Sequence, residues 1–316
     1  MSRPELRILT WHVHGNYLYY LTQVPHTFYV LADAARSPGY AGRAGLLPWG
    51  DNVIELPLDR VRGTEFDCVL YQSRHAWEAD RHTLLSAAQR ALPRIYLEHD
   101  PPQVHPTDTL HPVDDPATLV VHVTAFNRLM WDNRGVPTRV VEHGVTLPAG
   151  VHYDGSMPRG IAVANHLARR GRRLGADIFA QWRAQVPLDL VGMAAEESGG
   201  LGEIPNLQLP AFMGRYRFYC HPVRWTSLGL SAVEAMMIGM PLIGLATTEL
   251  ACVVRNGETG FVDTDPQRLV AHMQRLIASP DEARELGAGA RREAERRFGI
   301  ERFKADWLAV FQEVTQ

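Results

Sequence analysis

The sequence predicts an α/β protein built from two Rossmann-like units in tandem, and three observations carry that expectation. Short apolar runs rich in β-branched and aromatic residues recur along the chain without strict alternation, as strands buried on both faces of a parallel sheet require. Helical stretches and turn formers lie between many of them, which is the spacing of crossover connections. The pattern then restarts after turn-forming clusters at 146–150 and 154–158, which mark a linker near 146–159.

Taken in order, the first half predicts strands over 6–11, 27–32, 67–72, 94–98, 119–124 and 139–142. In the second half strands are expected over 160–164, 188–192, 206–209, 217–221 and 241–246, with helices near 172–185, 228–238, 267–278 and 281–298. The last of these is dense in Glu and Arg at i, i+3 and i+4 spacing, and reads as a solvated face laced with ion pairs. Beyond it, Phe303, Trp307, Leu308 and Phe311 form an apolar stripe on a final helix over 301–314.

Composition excludes several classes. With 316 residues, 46% hydrophobic and 21% charged, the chain buries a sizeable core, which argues against disorder, collagen-like repeats and coiled coil. A formal charge of −3 gives no global attraction to polyanions, so no nucleic-acid partner is expected. Three scattered cysteines, Cys68, Cys220 and Cys252, form no C-x-x-C pair, so neither a disulfide framework nor a structural zinc site is indicated and a reducing cytoplasm fits. The N-terminus Met1-Ser2-Arg3-Pro4-Glu5 opens no targeting signal. The most apolar run, 235–248, is shorter than the roughly 18 residues a membrane span needs and is broken by Gly239, Pro241 and Gly244.

Chemistry concentrates in residues 222–244. A loop holding Thr226 and Ser227 precedes an apolar-periodic helix that Gly239 can cap and Pro241 follows. With Thr226 or Ser227 as N-cap, the amides of Leu228, Gly229 and Leu230 carry the positive end of the helix dipole and suit a phosphate, and Gly229 lets one approach closely. Glu234 lies two turns inside, among apolar neighbours, where a carboxylate suits a bidentate hydrogen bond to a vicinal diol such as ribose; the bland alternative is a solvent-facing glutamate. A second constellation is the arginine run Arg169, Arg170, Arg172 and Arg173 after a predicted strand, a local anion site in an acidic chain, or else a solvated basic turn or a patch facing RNA or anionic lipid, which leaves peripheral membrane contact open.

Segment 222–243 resembles the donor-site signature of the retaining GT-B glycosyltransferases of group 1, or family 4: Pro222, Gly229, Leu230, Glu234, Ala235, Met236, Gly239, Pro241 and Ile243 fall in register. Residues 256–262, Asn-Gly-Glu-Thr-Gly-Phe-Val, are similar to the turn and strand downstream of it, and Val141-Glu-His-Gly-Val145 to the N-G-V that ends the family's first domain. The resemblance implies a GT-B fold, two Rossmann-like domains facing across a cleft: an acceptor-binding domain over 1–147, a domain over 148–300 binding a UDP- or GDP-linked sugar, and a helix over 301–316 crossing back to the first domain. It implies transfer of a glycosyl group to an acceptor hydroxyl with retention, without a metal ion or other cofactor. Glu234 then binds the ribose, the amides of Leu228, Gly229 and Leu230 meet the diphosphate or donor sugar, and Arg169 and Arg173 stabilise the leaving diphosphate, with Arg170 and Arg172 as substitutes. One position departs from the signature: Thr226 stands where the family has a glutamate that holds donor-sugar hydroxyls, which points to an altered donor or to a protein that binds without turnover.

In the first half, Trp11-His-Val-His-Gly-Asn16 and Glu98-His-Asp-Pro-Pro102 end strands, where open α/β sheets bind ligands. Gly15 resembles the glycine of the family's first strand-to-helix turn and is expected to bring backbone amides close to a ligand. His99 and Asp100 resemble the family's H-D pair, with His99 contacting the donor sugar or acceptor. A rival reading groups His12, His14, His99, Asp100 and His143 as ligands of a metal-dependent hydrolase, since alternation on a strand puts His12 and His14 on one face.

Overall fold

The computed structural model describes residues 5–316; the reading of Met1–Pro4 lies outside the described residues. The chain divides into two units, one of residues up to Gly144 together with Ile300–Gln316, the other Val145–Gly299. The division falls at 144/145 rather than 147/148.

In the first unit β1 (Arg7–Thr10), β2 (Thr27–Ala32), β3 (Val53–Pro57), β4 (Cys68–Tyr71), β5 (Arg94–Glu98), β6 (Thr118–His122) and β7 (Thr138–Val140) form one sheet in the order β3-β2-β1-β4-β5-β6-β7. All its ladders are parallel. Every residue of β4 and of β6 is buried, as strands covered on both faces require. The sequence did not announce β3. It is an edge strand of mixed burial that closes on Pro57, and a strand end at the rim is where a residue without an N–H is tolerated.

The second unit holds β8 (Met157–Val163), β9 (Leu188–Val191), β10 (Tyr216–His221), β11 (Leu242–Leu245) and β12 (Gly260–Asp263) in the order β12-β11-β10-β8-β9, again all parallel. The strand expected over 206–209 is instead a turn entering the helix Leu209–Met213. Pro205 O accepts the amides of Gln208 and Leu209, and Pro210 occupies the first helical turn, where its missing N–H costs nothing.

The helix Pro280–Phe298 is not merely a solvated face. It buries Ala283, Leu286, Ala290 and Ala294, and it carries Glu293, buried between Arg255 at 3.0 Å and Arg296 at 2.7 Å. The last helix, Ile300–Thr315, packs on the first unit through Phe303, Trp307, Val310 and Phe311. Val310 takes the place expected for Leu308, because i+7 stays nearer the i, i+4, i+8 stripe than i+5 does. Trp307 Nε1 donates to Tyr17 Oη at 3.3 Å, and Phe311 stands edge-on to His26.

Candidate active site

In the second unit the chain leaves β8 toward one edge of the sheet and β10 toward the other, so these neighbours flank the topological switch point, where parallel sheets bind ligands beyond their carboxyl ends. From His221 the loop 222–229 runs to the helix Leu230–Ile238, which Gly239 ends with φ 100°. The helix starts later than expected. Its N-cap is Gly229, with φ −64° and ψ 131°, and no side chain caps it. Thr247 Oγ1 donates to Val223 O at 2.7 Å and Thr248 Oγ1 to Ser227 O at 3.4 Å, so the loop is pinned to the end of β11 and turns helical only at Leu230. Thr226 is half-buried and Ser227 buried, both within the loop rather than at the cap.

Gly229 O receives its helical bonds from Ala232 N at 3.0 Å and Val233 N at 3.4 Å, so the amides of Leu230 and Ser231 precede the first bond and point out of the helix. The anion-ready amides are thus shifted one residue along from 228–230. A Cβ on Gly229 would meet nothing closer than 3.7 Å, from His221 Cε1 and Ser231 Oγ. The fold itself does not require a glycine there. Glu234 is only 6% exposed, on a helix whose residues 232–238 are all buried, so the solvent-facing alternative does not hold.

The arginine run wraps into the same place. It forms a short helix, Leu167–Arg170, a tighter turn, Gly171–Leu174, and then the helix Ala176–Arg183. Arg173 O accepts the amides of Arg224 at 3.0 Å and Trp225 at 3.1 Å, and Arg224 grips both oxygens of Asp177 at 2.6 and 2.8 Å. The Arg224 guanidinium holds the Asp177 carboxyl below the usual carboxylate range. Two motifs fifty residues apart become one body, fastened by Arg224, a residue the sequence reading did not single out although it lies inside the matched segment. Gly175, at φ 77°, is the tightest point: a Cβ there would land on the Pro222 carbonyl. Arg172 also bonds Asp177, at 2.5 Å through Nη1, while its side chain stays largely exposed. Arg169 is exposed, and Arg170 and Arg173 are half-buried.

In the first unit the switch point lies between β1 and β4. Here His12 and His14 diverge, because β1 ends at Thr10 and His14, at φ 50°, is already the N-cap of the helix Gly15–Leu21. His12 Nδ1 contacts Gly42 O at 2.6 Å, whereas His14 stacks edge-on to His99 at 4.5 Å. Among the described residues no three His, Cys, Asp or Glu side chains converge as metal ligands. Gly15 is small for a reason internal to the fold, since a Cβ there would sit 2.9 Å from His12 Nε2. Gly15→Ala is therefore expected to cost about 1–3 kcal/mol in urea unfolding, and His12→Ala to restore it; equal costs in both backgrounds would refute the contact.

His99 is buried, and its neutral form is fixed. Gln72 Nε2 donates to Thr10 Oγ1 and Trp11 O, so Gln72 Oε1 faces His99 Nε2 at 3.1 Å and that nitrogen carries the proton. Burial holds the imidazole well below its ordinary pKa, and Nδ1 is left as an acceptor. Behind it, burial pushes Glu98 up to about 8; Glu98 Oε1 accepts the Asp100 amide at 3.0 Å, and Trp131 Nε1 donates to Asp100 O at 2.8 Å. The half-buried Asp100 is thus held by its backbone.

The two parallel-sheet units have the GT-B fold, and the second carries a domain, residues 196–293, that matches the family described as glycosyl transferases group 1. Among solved structures the chain resembles sucrose-phosphate synthase of Thermosynechococcus elongatus (TM-score 0.70, 15% identity, 98% of this chain and 99% of that one). It resembles HepE of Anabaena in complex with UDP equally (TM-score 0.70, 15% identity, 98% and 100%). Among curated relatives it is 32% identical over 82 residues to trehalose synthase of Pyrococcus horikoshii, covering 26% of this chain and 20% of that protein. It is 33% identical over 108 residues to MMP alpha-(1->4)-mannosyltransferase of Mycolicibacterium hassiacum, covering 33% and 26%. These matches span about a fifth to a quarter of the relatives' length.

Proposed function

We propose that the chain transfers a sugar from a nucleoside-diphosphate sugar, UDP- or GDP-linked, to an acceptor hydroxyl with retention, in the manner of family 4 and without a metal ion. The observation that carries the reading is the joining of the uncapped helix end at Gly229–Ser231 to the arginine turn 169–173 at one switch point. Helix-end amides and guanidinium groups suit a diphosphate, and in transfer they stabilise charge building on the leaving β-phosphate. Glu234, buried in the same helix, takes the ribose diol. The bond from the anomeric carbon to the β-phosphate oxygen breaks as that carbon bonds the acceptor oxygen, and the departing phosphate takes the acceptor's proton. His99 is assigned to sugar or acceptor hydroxyls through Nδ1, and Asp100 beside it to the same substrate. HepE, one of the structural neighbours, is known in complex with UDP and glucose, which supports the donor class. With all three cysteines free, we place the reaction in the cytoplasm; among the described residues no helix is long and apolar enough to cross a membrane.

The half-buried Thr226 favours a second reading, a protein that binds the nucleotide without turnover. Calorimetric titration with UDP, GDP and ADP in EDTA tests the site, and donor hydrolysis over a panel of nucleotide sugars separates the two readings. One nucleotide is expected to bind. Glu234→Ala should weaken it about 10- to 100-fold through loss of a charged hydrogen bond, and Arg173→Ala should weaken the diphosphate more than the nucleoside. No binding of any nucleotide would end the proposal.

A further inference from the structure

A second basic constellation lies elsewhere, on the first unit, where a cavity of about 90 Å³ is walled by Tyr71, Trp77, Arg81, Arg90, Arg94 and Asp115, with His82 at its rim. That is several times the roughly 10–15 Å³ one water needs. The elements that build it are the end of β4, the start of β5 and the helical segments Ala76–Asp80 and Ala87–Arg90. Arg94 is neutralised in place: Nε and Nη2 bond Asp115 Oδ2 at 3.0 and 2.6 Å, and Nη1 reaches the carbonyls of Arg90 and Leu92. Arg81 and Arg90 are not. Both are half-buried, and among the described residues neither has a carboxylate within ion-pair distance. Arg81 spends only Nε, on His82, while its guanidinium lies 4.0 Å over the Trp77 ring; Arg90 spends only Nη1, on Leu85 O.

The third donor is Tyr71. The residue is 1% exposed, wedged between Trp11 and Trp77 at ring distances of 5.2 Å, and among the described residues its hydroxyl has no hydrogen-bond partner. It lines the cavity, where it can donate to a group held there. Burial also holds the phenol protonated, while Arg81, Arg94 and Arg90 pull in the opposite direction, so the oxygen faces their charge. Three arginines against one aspartate leave a surplus of two positive charges around these donors.

We propose that this cavity binds one phosphate group, inorganic phosphate or the phosphoryl head of a monoester, through Arg81, Arg90 and the Tyr71 hydroxyl. A tetrahedral dianion matches the surplus charge, accepts from the planar guanidinium groups in pairs, and completes Tyr71. The volume suits one such group rather than a nucleoside. The inference does not rest on the donor reading, because the arginines of that site belong to the other unit.

Calorimetric titration of the full chain with inorganic phosphate, against sodium chloride of equal ionic strength, is expected to show one site that survives in Arg169→Gln/Arg173→Gln and disappears in Arg81→Gln/Arg90→Gln. Tyr71→Phe removes only an unpartnered hydroxyl, keeps the fold, and is expected to weaken phosphate several-fold to tenfold. Sedimentation with vesicles of phosphatidic acid in phosphatidylcholine, lost in Arg81→Gln/Arg90→Gln, would identify a lipid headgroup as the source of the phosphate. Binding lost only in Arg169→Gln/Arg173→Gln, unaffected by Tyr71→Phe, or absent for both phosphate and vesicles overturns the proposal.

Discussion

Gly229→Ala is expected to leave the protein folded while weakening nucleotide diphosphate binding by roughly 10- to 100-fold, the cost of blocking a hydrogen bond to a charged group. Its φ of −64° is open to any residue, and a new Cβ meets only atoms at 3.7 Å. Alanine is a poorer N-cap than glycine but restricts the unfolded chain, and these effects, each under about 1 kcal/mol, oppose one another. The methyl group would instead stand where an anion must approach the Leu230 and Ser231 amides. Urea unfolding and calorimetry on the same sample decide the matter: parental affinity in the folded variant would mean that the diphosphate does not sit on this helix end. Gly175→Ala is the informative contrast. There a Cβ at φ 77° strikes the Pro222 carbonyl, so stability should fall together with affinity.

Stability is expected to peak near pH 6.5 and to fall steeply on the acid side. Burial lowers His111 to about 4, His122 to about 3 and His221 to about 4. Between the ordinary value near 6.5 and those figures the unfolded chain takes up protons that the folded chain refuses. Each histidine's share of stability is therefore complete above pH 6.5 and lost as pH falls, at about 1.4 kcal/mol per pH unit. Glu98 has the opposite sign. Raised to about 8, it holds in the folded state a proton that the unfolded chain releases above about 4.5, so its contribution is complete below 4.5 and lost as pH rises through 8. With His99, which burial also holds well below its ordinary pKa, four histidines oppose the one glutamate, so stability falls by several kcal/mol between pH 6 and 5 and declines more gently between 7 and 8 through Glu98. His111 and His122 both lie in the first unit, so that unit should melt first on acidification. Urea unfolding at pH 5, 6, 7 and 8 gives the proton uptake directly, and His111→Leu should remove one proton's worth of the acid slope. A flat profile from 7 to 5 would show that these histidines are solvated.

Much of this was legible locally. Central strands such as β4 and β11 read directly from the chain because strands buried on both faces must be continuously apolar. The edge strand β3 did not, since half its residues face outward and it ends in proline. The two anion-binding motifs were each visible, because a positively charged helix end and a run of arginines are local chemistry.

What the sequence by itself determined is the class of fold, the donor-site signature at 222–243 and the residue types available to a diphosphate. Tertiary structure alone decided that Asp177 and Arg224 fasten the arginine turn to that signature, and that the helix begins at Leu230 because Thr247 and Thr248 hold the loop back. It also decided that Gly15 makes room for His12, whereas Gly229 leaves room that nothing in the protein fills. The fastening by Arg224 and the late helix start depend on contacts between residues some twenty to fifty positions apart, set by which strands lie side by side, and spacing along a chain carries no information about what a neighbouring strand delivers.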